Sequence, residues 1–330
     1  MKRSIVLLLA LSLAGAGATA QTFEGFQTAF KSFADSMAGS LNINATVGDT
    51  WSSAYVGGFP HFGVGLAAGA TFVDSTTTAA LFSAIGQEMP AQLSSVGLPV
   101  PAAAATFKIG LPFIPLDIGL KAGLIPESVG SSLTSLGVTA DYKNVGLSLR
   151  YALLKEKLLV PAVSLGLSAN YLQGSIKKAI SGGQTMSFND GSNNWVATMS
   201  DPTLDLWWET KSLDLTAQVS KKIVFFTPYA GAGFTVGNST VKGGLDSTIS
   251  VTENGSPSTV EALRQAIINA GGTPPEFGDS GFSYTATNSS PTFRVYGGFS
   301  LDILLVLDCQ VMYVPATKNL GASVTARVQL

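Results

Sequence analysis

Polar and apolar residues alternate one by one through most of this chain. The last stretch, KNLGASVTARVQL, is the plainest case. Leu320, Ala322, Val324, Ala326, Val328 and Leu330 share one face, while Asn319, Gly321, Ser323, Thr325, Arg327 and Gln329 share the other. A period of two marks a strand with unlike surroundings on its two sides. Phe62, Val64, Leu66, Ala68, Ala70 and Phe72 repeat it against Gly63, Gly65, Ala67, Gly69 and Thr71. So do Val163, Leu165, Leu167, Ala169 and Tyr171 against Ser164, Gly166, Ser168 and Asn170. Four segments open alike on proline: PHFGVGLAAG at Pro60, PLDIGLKAG at Pro115, PAVSLGLSAN at Pro161 and PYAGAGFTVG at Pro228. Proline offers no N–H to a sheet ladder, so the first residue after a tight turn is among the few places a strand accepts it.

The pattern predicts strands near 42–49, 51–58, 61–73, 104–111, 116–124, 136–154, 161–176, 203–220, 228–241, 291–302, 306–314 and 318–330. At Lys143-Asn144 the alternation changes phase, which reads as a bulge or a hairpin turn. Short turns such as KEKLLVP, KKIVFFTP and YVGGFP alternate with longer polar loops. Ten residues tilted at about 45° climb roughly 23 Å, close to the outward apolar band of about 25 Å on a membrane barrel. Phe62 and Phe72 then mark the two interfaces, and Tyr171 an outer rim. The expected fold is all-β: a transmembrane antiparallel β-barrel of about 12 strands, within a range of roughly 10–14.

Three segments change period. In FEGFQTAFKSFADSMAGSL, Phe23, Phe26, Phe30, Phe33, Met37 and Leu41 recur at spacings of three and four, which predicts an amphipathic helix before the first strand. Its polar face carries only Lys31 beside Glu24 and Asp35, too little basic charge for a membrane-surface helix. The helix either lies on the membrane's inner surface or folds into the lumen as a plug, and its weak basic charge favours the plug. TTTAALFSAIGQEM brings together Leu81, Phe82 and Ile85. SPSTVEALRQAIINAGG sets Ser258 and Glu261 in capping-box spacing, Leu263, Ile267 and Ile268 in a stripe, and Gly271 as a stop. These two predict helices in outer loops, the second packed on the rim within a long loop 242–290.

Composition agrees with two solvents rather than one. Charged residues make up only 12% of the chain and apolar ones 46%, with 36 glycines; that is about half the usual share of charge. Beyond the first twenty residues no apolar run reaches the roughly 18 needed for a spanning helix. The opening MKRSIVLLLALSLAGAGATAQ combines Lys2 and Arg3, an apolar stretch from Ile5 to Ala14, and Ala18-Thr19-Ala20 before Gln21. It predicts a secretory signal peptide cleaved at Gln21. The expected organisation is a signal peptide over 1–20, an amphipathic helix over 21–41 and a barrel over 42–330.

Signal peptide, alternating strands, aromatic strand ends and a strand at the C-terminus together resemble the outer-membrane β-barrel proteins of diderm bacteria. The helix ahead of the first strand and the apolar helices in outer loops are loosely similar to the long-chain fatty-acid transporter family, which has more strands and a longer chain. The resemblance implies location in the bacterial outer membrane. It implies outer-membrane lipid and the barrel-insertion machinery as partners.

Little else in the chain carries chemistry. His61 is the lone histidine and Cys309 the lone cysteine, so neither a His/Cys metal cluster nor an internal disulfide can form. A Ser–His hydrolase would have to use His61, which lies in the GGFPHFG turn with no acid near it. FNDGSNN around Asp190 is too poor in carboxylates for a calcium loop. A net charge of −2 offers nucleic acid no basic surface. No cofactor and no enzymatic activity are expected. What remains are charges on the polar strand faces: Lys108, Lys121, Arg150, Arg294 and Arg327, with Asp117, Asp214 and Asp302. Facing lipid at mid-depth, a Lys or Arg costs about 2–4 kcal/mol, so these residues are expected to line the lumen. The expected function is a passive channel or transporter for small or apolar solutes. The alternative is a closed barrel that displays surface loops for adhesion or structure. Conductance separates the two.

Overall fold

The computed structural model describes residues 23–54, 57–84, 88–124, 138–179, 184–272 and 280–330, together with Pro274 and Gly278. The expected signal peptide, the side chain of Phe23 and the third apolar position of the first loop helix, Ile85, lie outside the described residues.

Ten strands close a ring. In chain order the wall uses β1 (Phe62–Val73), β2 (Leu98–Gly110), β3 (Leu116–Leu124), β4 (Val138–Leu154), β5 (Ala162–Ala179), β7 (Asn194–Ser220), β8 (Phe226–Glu253), β11 (Thr292–Asp302), β12 (Val306–Val314) and β13 (Asn319–Gln329). Each pairs antiparallel with the next, and β13 closes on β1 through Val64↔Val328 and Ala68↔Val324. Three further strands, β6 (Gln184–Asn189), β9 (Ser256–Ser258) and β10 (Gly281–Asn288), extend one end. β10 continues β11 in register along β8, with Asn288↔Ser239 followed by Thr292↔Thr235. Ser289, Ser290 and Pro291 interrupt what is otherwise one strand. Turns of three to seven residues join β2–β3, β4–β5, β7–β8 and β11–β12 at one end, and most longer connections lie at the other.

Closure fixes what each strand face meets. Even positions of β4, from Val138 to Ala152, point inward, and odd positions from Val145 to Leu153 point out. The phase change at Lys143-Asn144 is neither bulge nor turn, since pairing with β5 runs unbroken through both residues. Thr139, Asp141 and Lys143 still point outward but lie beyond the apolar belt, so the outward face turns polar while the parity holds. The one shift in this pair falls at Ala152/Leu154.

The chain ahead of β1 is not wall. Helix α1 (Phe23–Asn44) runs past the expected end near residue 41; residues 45–49 continue it as turns and 50–54 are irregular. None of the described residues in the strands expected at 42–49 and 51–58 is in a strand, and the described wall starts at Phe62 rather than 42. The reason lies in the surroundings. Leu41 and Ala45 join one buried cluster, Ile43 and Val47 another, while Asn42 and Asn44 are wholly buried against polar wall groups. A helix end enclosed on all sides needs no solvent face, so its sequence imitates alternation.

Helix α2 (Ser75–Ala84) follows β1, with Asp74 as its cap: the carboxylate accepts from the backbone of Thr76 and Thr77, each at 3.0 Å. Helix α3 (Val260–Asn269) is capped by Thr259, whose hydroxyl accepts from Ala262 at 3.1 Å, one residue later than the expected box at Ser258. Gly271, at φ +79°, ends it. Val260, Leu263, Ala266 and Ile267 pack on Trp195, Met199, Ile249 and Val251, whereas Ile268 is exposed. The expected loop 242–290 is therefore largely strand and helix. A one-residue shift in β7 between Ser200 and Thr203 turns Trp195, Ala197 and Met199 onto the face that α3 covers.

Candidate functional site in the lumen

The N-terminal segment threads the ring from the long-loop mouth to the short-turn mouth. Phe26 and Phe30 pack edge-on against Phe282 of β10, with ring centroids 6.4 and 6.0 Å apart. Phe33, Met37 and Leu41 continue downward among Val100, Tyr142, Leu172, Trp208 and Val241, all inward-facing wall residues. Burying five such side chains stabilises the seated helix by about 7–15 kcal/mol as an upper estimate.

Below Leu41 polar contacts join the apolar ones of Ile43, Ala45 and Val47. Asn42 Oδ1 accepts from Thr210 (2.8 Å) and Ser239 (3.0 Å), and Asn44 Nδ2 donates to the Val100 carbonyl (2.6 Å). Gln218 Nε2 donates to the carbonyls of Trp51 (2.8 Å) and Ser52 (3.0 Å). The Ala54 amide donates to Ser220 at 3.0 Å. This interface is incompletely paired: Asn42 Nδ2, Asn44 Oδ1, Asn170 Oδ1 and Ser212 Oγ are buried without a protein partner. Such groups are ones that water satisfies readily.

The buried charges divide into two sets. Three arginines are neutralised by the wall itself. Arg150 pairs with Asp117 on the neighbouring strand at 2.9 Å. Arg294 Nη2 meets Asp214 at 2.8 Å, with Thr235 bonded to both. Arg327 pairs with Asp308 at 2.9 Å, and Tyr229 donates to the same carboxylate at 2.7 Å. Arg150 and Arg327 also touch the plug, donating to the Ser53 carbonyl and the Ser52 hydroxyl, each at 2.6 Å, whereas the two lysines draw their partners from it. Lys121 meets the Asp49 carboxylate at 2.8 Å and donates to the carbonyls of Ala45 and Val47. Lys108 donates to the Asp49 carbonyl and stands 5.3 Å from the centre of the Trp51 ring. Ser168 and Asn170 complete the Asp49 carboxylate at 2.8 and 2.9 Å.

Asp302 is placed otherwise than expected. It ends β11 at the short-turn rim, where it is partly exposed and pairs with Lys222 at 2.6 Å. The inward parity of its strand holds, but the strand has left the lumen by then. His61 is exposed on the same rim, its Nδ1 2.5 Å from the Gly58 carbonyl. Asp308 was legible in the sequence, because it alternates with Leu307, Cys309 and Val311. Asp49 and Trp51 carried no such signal, since a residue inside the lumen on a non-wall segment obeys no strand parity.

No protein-family model and no curated protein matches the chain. Among solved structures, a CymD monoaromatic hydrocarbon channel is similar at 9% identity over 82% of this chain and 87% of that one, with a TM-score of 0.19. The outer membrane protein opdK from Pseudomonas aeruginosa is similar at 10% identity over 82% of this chain and 98% of that one, with a TM-score of 0.15.

Proposed function

We propose that this chain is an outer-membrane channel closed by its own N-terminal segment and selective, when open, for small negatively charged solutes. The observation that carries the reading is the division of the buried charges. The wall neutralises its three arginines, while Lys108 and Lys121 find their partners on residues 45–51. Withdrawing those residues leaves six buried wall bases, Lys108, Lys121, Arg150, Lys178, Arg294 and Arg327, against three buried wall acids, Asp117, Asp214 and Asp308. Two lysines that lose their partners in a narrow polar passage favour anions. Residues 42–54 hold the wall through hydrogen bonds that water can replace as well as through Ile43, Val47 and Trp51, whereas Phe26–Leu41 hold it mainly through apolar contacts. In this reading opening begins with residues 45–54. Insertion into the outer membrane through the usual barrel-insertion machinery belongs to the same reading.

Deleting residues 23–54 and recording reversal potentials across a KCl gradient tests it. Conducting steps with anion preference are expected from a folded deletion protein, against a closed full-length chain. A folded but silent deletion protein would favour the second reading, a closed barrel that displays the β6–β10 extension and α3.

A further inference from the structure

The short-turn end is unusually apolar for a surface. Phe59, Phe113 and Ile114, Leu158 to Val160, Ile223 to Phe225 and Ile303 to Leu305 are all exposed there. Leu158, Leu159 and Leu304 are exposed by 91%, 90% and 95%. These tips extend the outward apolar belt, directly from Leu307 to Leu305 and, past the charged stretches Lys155–Lys157 and Lys221-Lys222, from Leu154 to Leu158 and from Val219 to Ile223.

The wall's own belt is uneven. On β1 the outward run Phe62–Phe72 climbs about 23 Å, near the roughly 25 Å of a membrane band. On β7, Leu213–Val219 climbs only about 14 Å, and Leu307–Tyr313 on β12 the same. Above Leu213 the outward face already carries Lys211 and Glu209, which pair at 3.1 Å, so the belt cannot lengthen upward. It can lengthen downward only through the turns. The turns beneath these two short runs each present three successive apolar residues, whereas among the described residues of the turn before β1 Phe59 is the exposed large apolar one.

Backbone conformation gives an independent sign. Val224 sits at φ +60° and Phe113 at φ +70°, a region costly for branched or bulky side chains. At the opposite end the described non-glycine residues in this region are Asn254, at φ +50° before Gly255 at +82°, and Lys318, at φ +57°, neither of them apolar. Retaining Val and Phe where Asn or Gly is comfortable points to use of the side chain. The tips also keep open backbone groups to a minimum. Lys157 and Val160 exchange both hydrogen bonds, as do Ile223 and Phe226.

Charge completes the pattern. Lys155, Lys157, Lys221 and Lys222 flank the tips, against Glu156 and Asp302. Lys222 pairs with Asp302, and Lys221 lies 3.5 Å from Glu156, so the rim keeps a net positive charge.

We propose that this end is a lipid-insertion rim: the apolar tips enter the acyl region of the phospholipid leaflet at the short-turn side, and the lysines hold its anionic headgroups. The proposal rests on the barrel spanning a membrane. It is tested with full-length protein in vesicles of phosphatidylcholine and phosphatidylglycerol, with Cys309→Ser as background. An environment-sensitive fluorophore is attached at Leu159→Cys, at Val224→Cys, and at Leu215→Cys as a belt control. Folding is checked by resistance to unfolding in SDS. Spin-labelled phosphatidylcholine should quench all three labels at least twofold, and aqueous iodide none. Iodide quenching at 159 and 224 with a lipid-quenched 215 would overturn the rim and leave the spanning barrel standing. A control at 215 that lipid does not quench would overturn both. The variant with Lys155, Lys157, Lys221 and Lys222 each changed to Gln should insert into anionic vesicles at least tenfold more slowly than wild type, and into neutral vesicles at the same rate. Equal rates in anionic vesicles would overturn the headgroup contact.

Discussion

Lys121 of the barrel wall and Asp49 of the segment inside it meet at 2.8 Å, both almost wholly buried. They join two parts of the chain that share no sheet, so the pair reports on whether the segment is seated.

Asp49→Asn should unseat it. Removing one partner leaves the other charge buried and uncompensated, which costs about 3–5 kcal/mol. Open probability in planar bilayers should rise, and protease cleavage within residues 45–54 should appear. Asp49→Leu combined with Lys121→Met should restore closure. Unaltered gating in Asp49→Asn would show that the pair does not hold the plug.

In the plug-deleted protein, Lys108→Gln and Lys121→Gln together should move the reversal potential toward that of a non-selective pore. The three wall-paired arginines should contribute less, because each keeps its aspartate. Undiminished anion preference in the double variant would assign selectivity elsewhere.

Ala67 and Ala68 separate barrel stability from plug seating. Ala68 faces outward, midway between Phe62 and Phe72, so Ala68→Arg should lower barrel stability by about 2–4 kcal/mol. Ala67 is buried against Ile43 and Val47. Ala67→Arg should displace the plug while leaving more of the wall intact. Unfolding midpoints in lipid measure the first effect, and lumen labelling the second.

Asp74 links α2 to the plug, since Ser36 donates to its carboxylate at 3.0 Å. Burial raises this carboxyl, but hydrogen bonds from Thr77, Ser36 and Thr76 outweigh it and hold the group below its ordinary value. A depressed carboxyl stabilises the fold fully above its unfolded value and loses that contribution as pH falls through the folded one. The protection factors of amides 75–84, exchange taken relative to its intrinsic rate at each pH, should therefore fall on acidification below about pH 4. Asp74→Ala should cost about 1 kcal/mol at neutral pH and abolish that pH dependence of the protection factors.

Asp190 closes the β6–β7 hairpin. The Trp195 indole donates to it at 3.0 Å, as do the amides of Asn193 (2.7 Å) and Ser192 (2.9 Å). These bonds hold its pKa at about 2, the indole bond most of all. The hairpin should stay closed below the usual carboxylate range and loosen only near pH 2. Asp190→Ala should free Trp195 at neutral pH, seen as a red-shifted indole emission.

Strand faces were legible in the sequence because parity is local: a residue's neighbours two positions away share its surroundings whatever the rest of the chain does. Residues 319–329 and 62–73 show this, and so does the inward placement of Lys108, Arg150 and Arg327. The period of α1 was equally local. Tertiary structure alone decided that ten strands close the ring, because closure is a pairing between residues as distant as Val64 and Val328. It decided that residues 42–54 are plug and not wall, because a segment enclosed on every side loses the polar face by which helix and strand are told apart. And it decided which charges matter to one another. Lys121 finds Asp49 across the lumen, and Asp302 leaves the lumen where its strand ends, through distances that no spacing along the chain encodes.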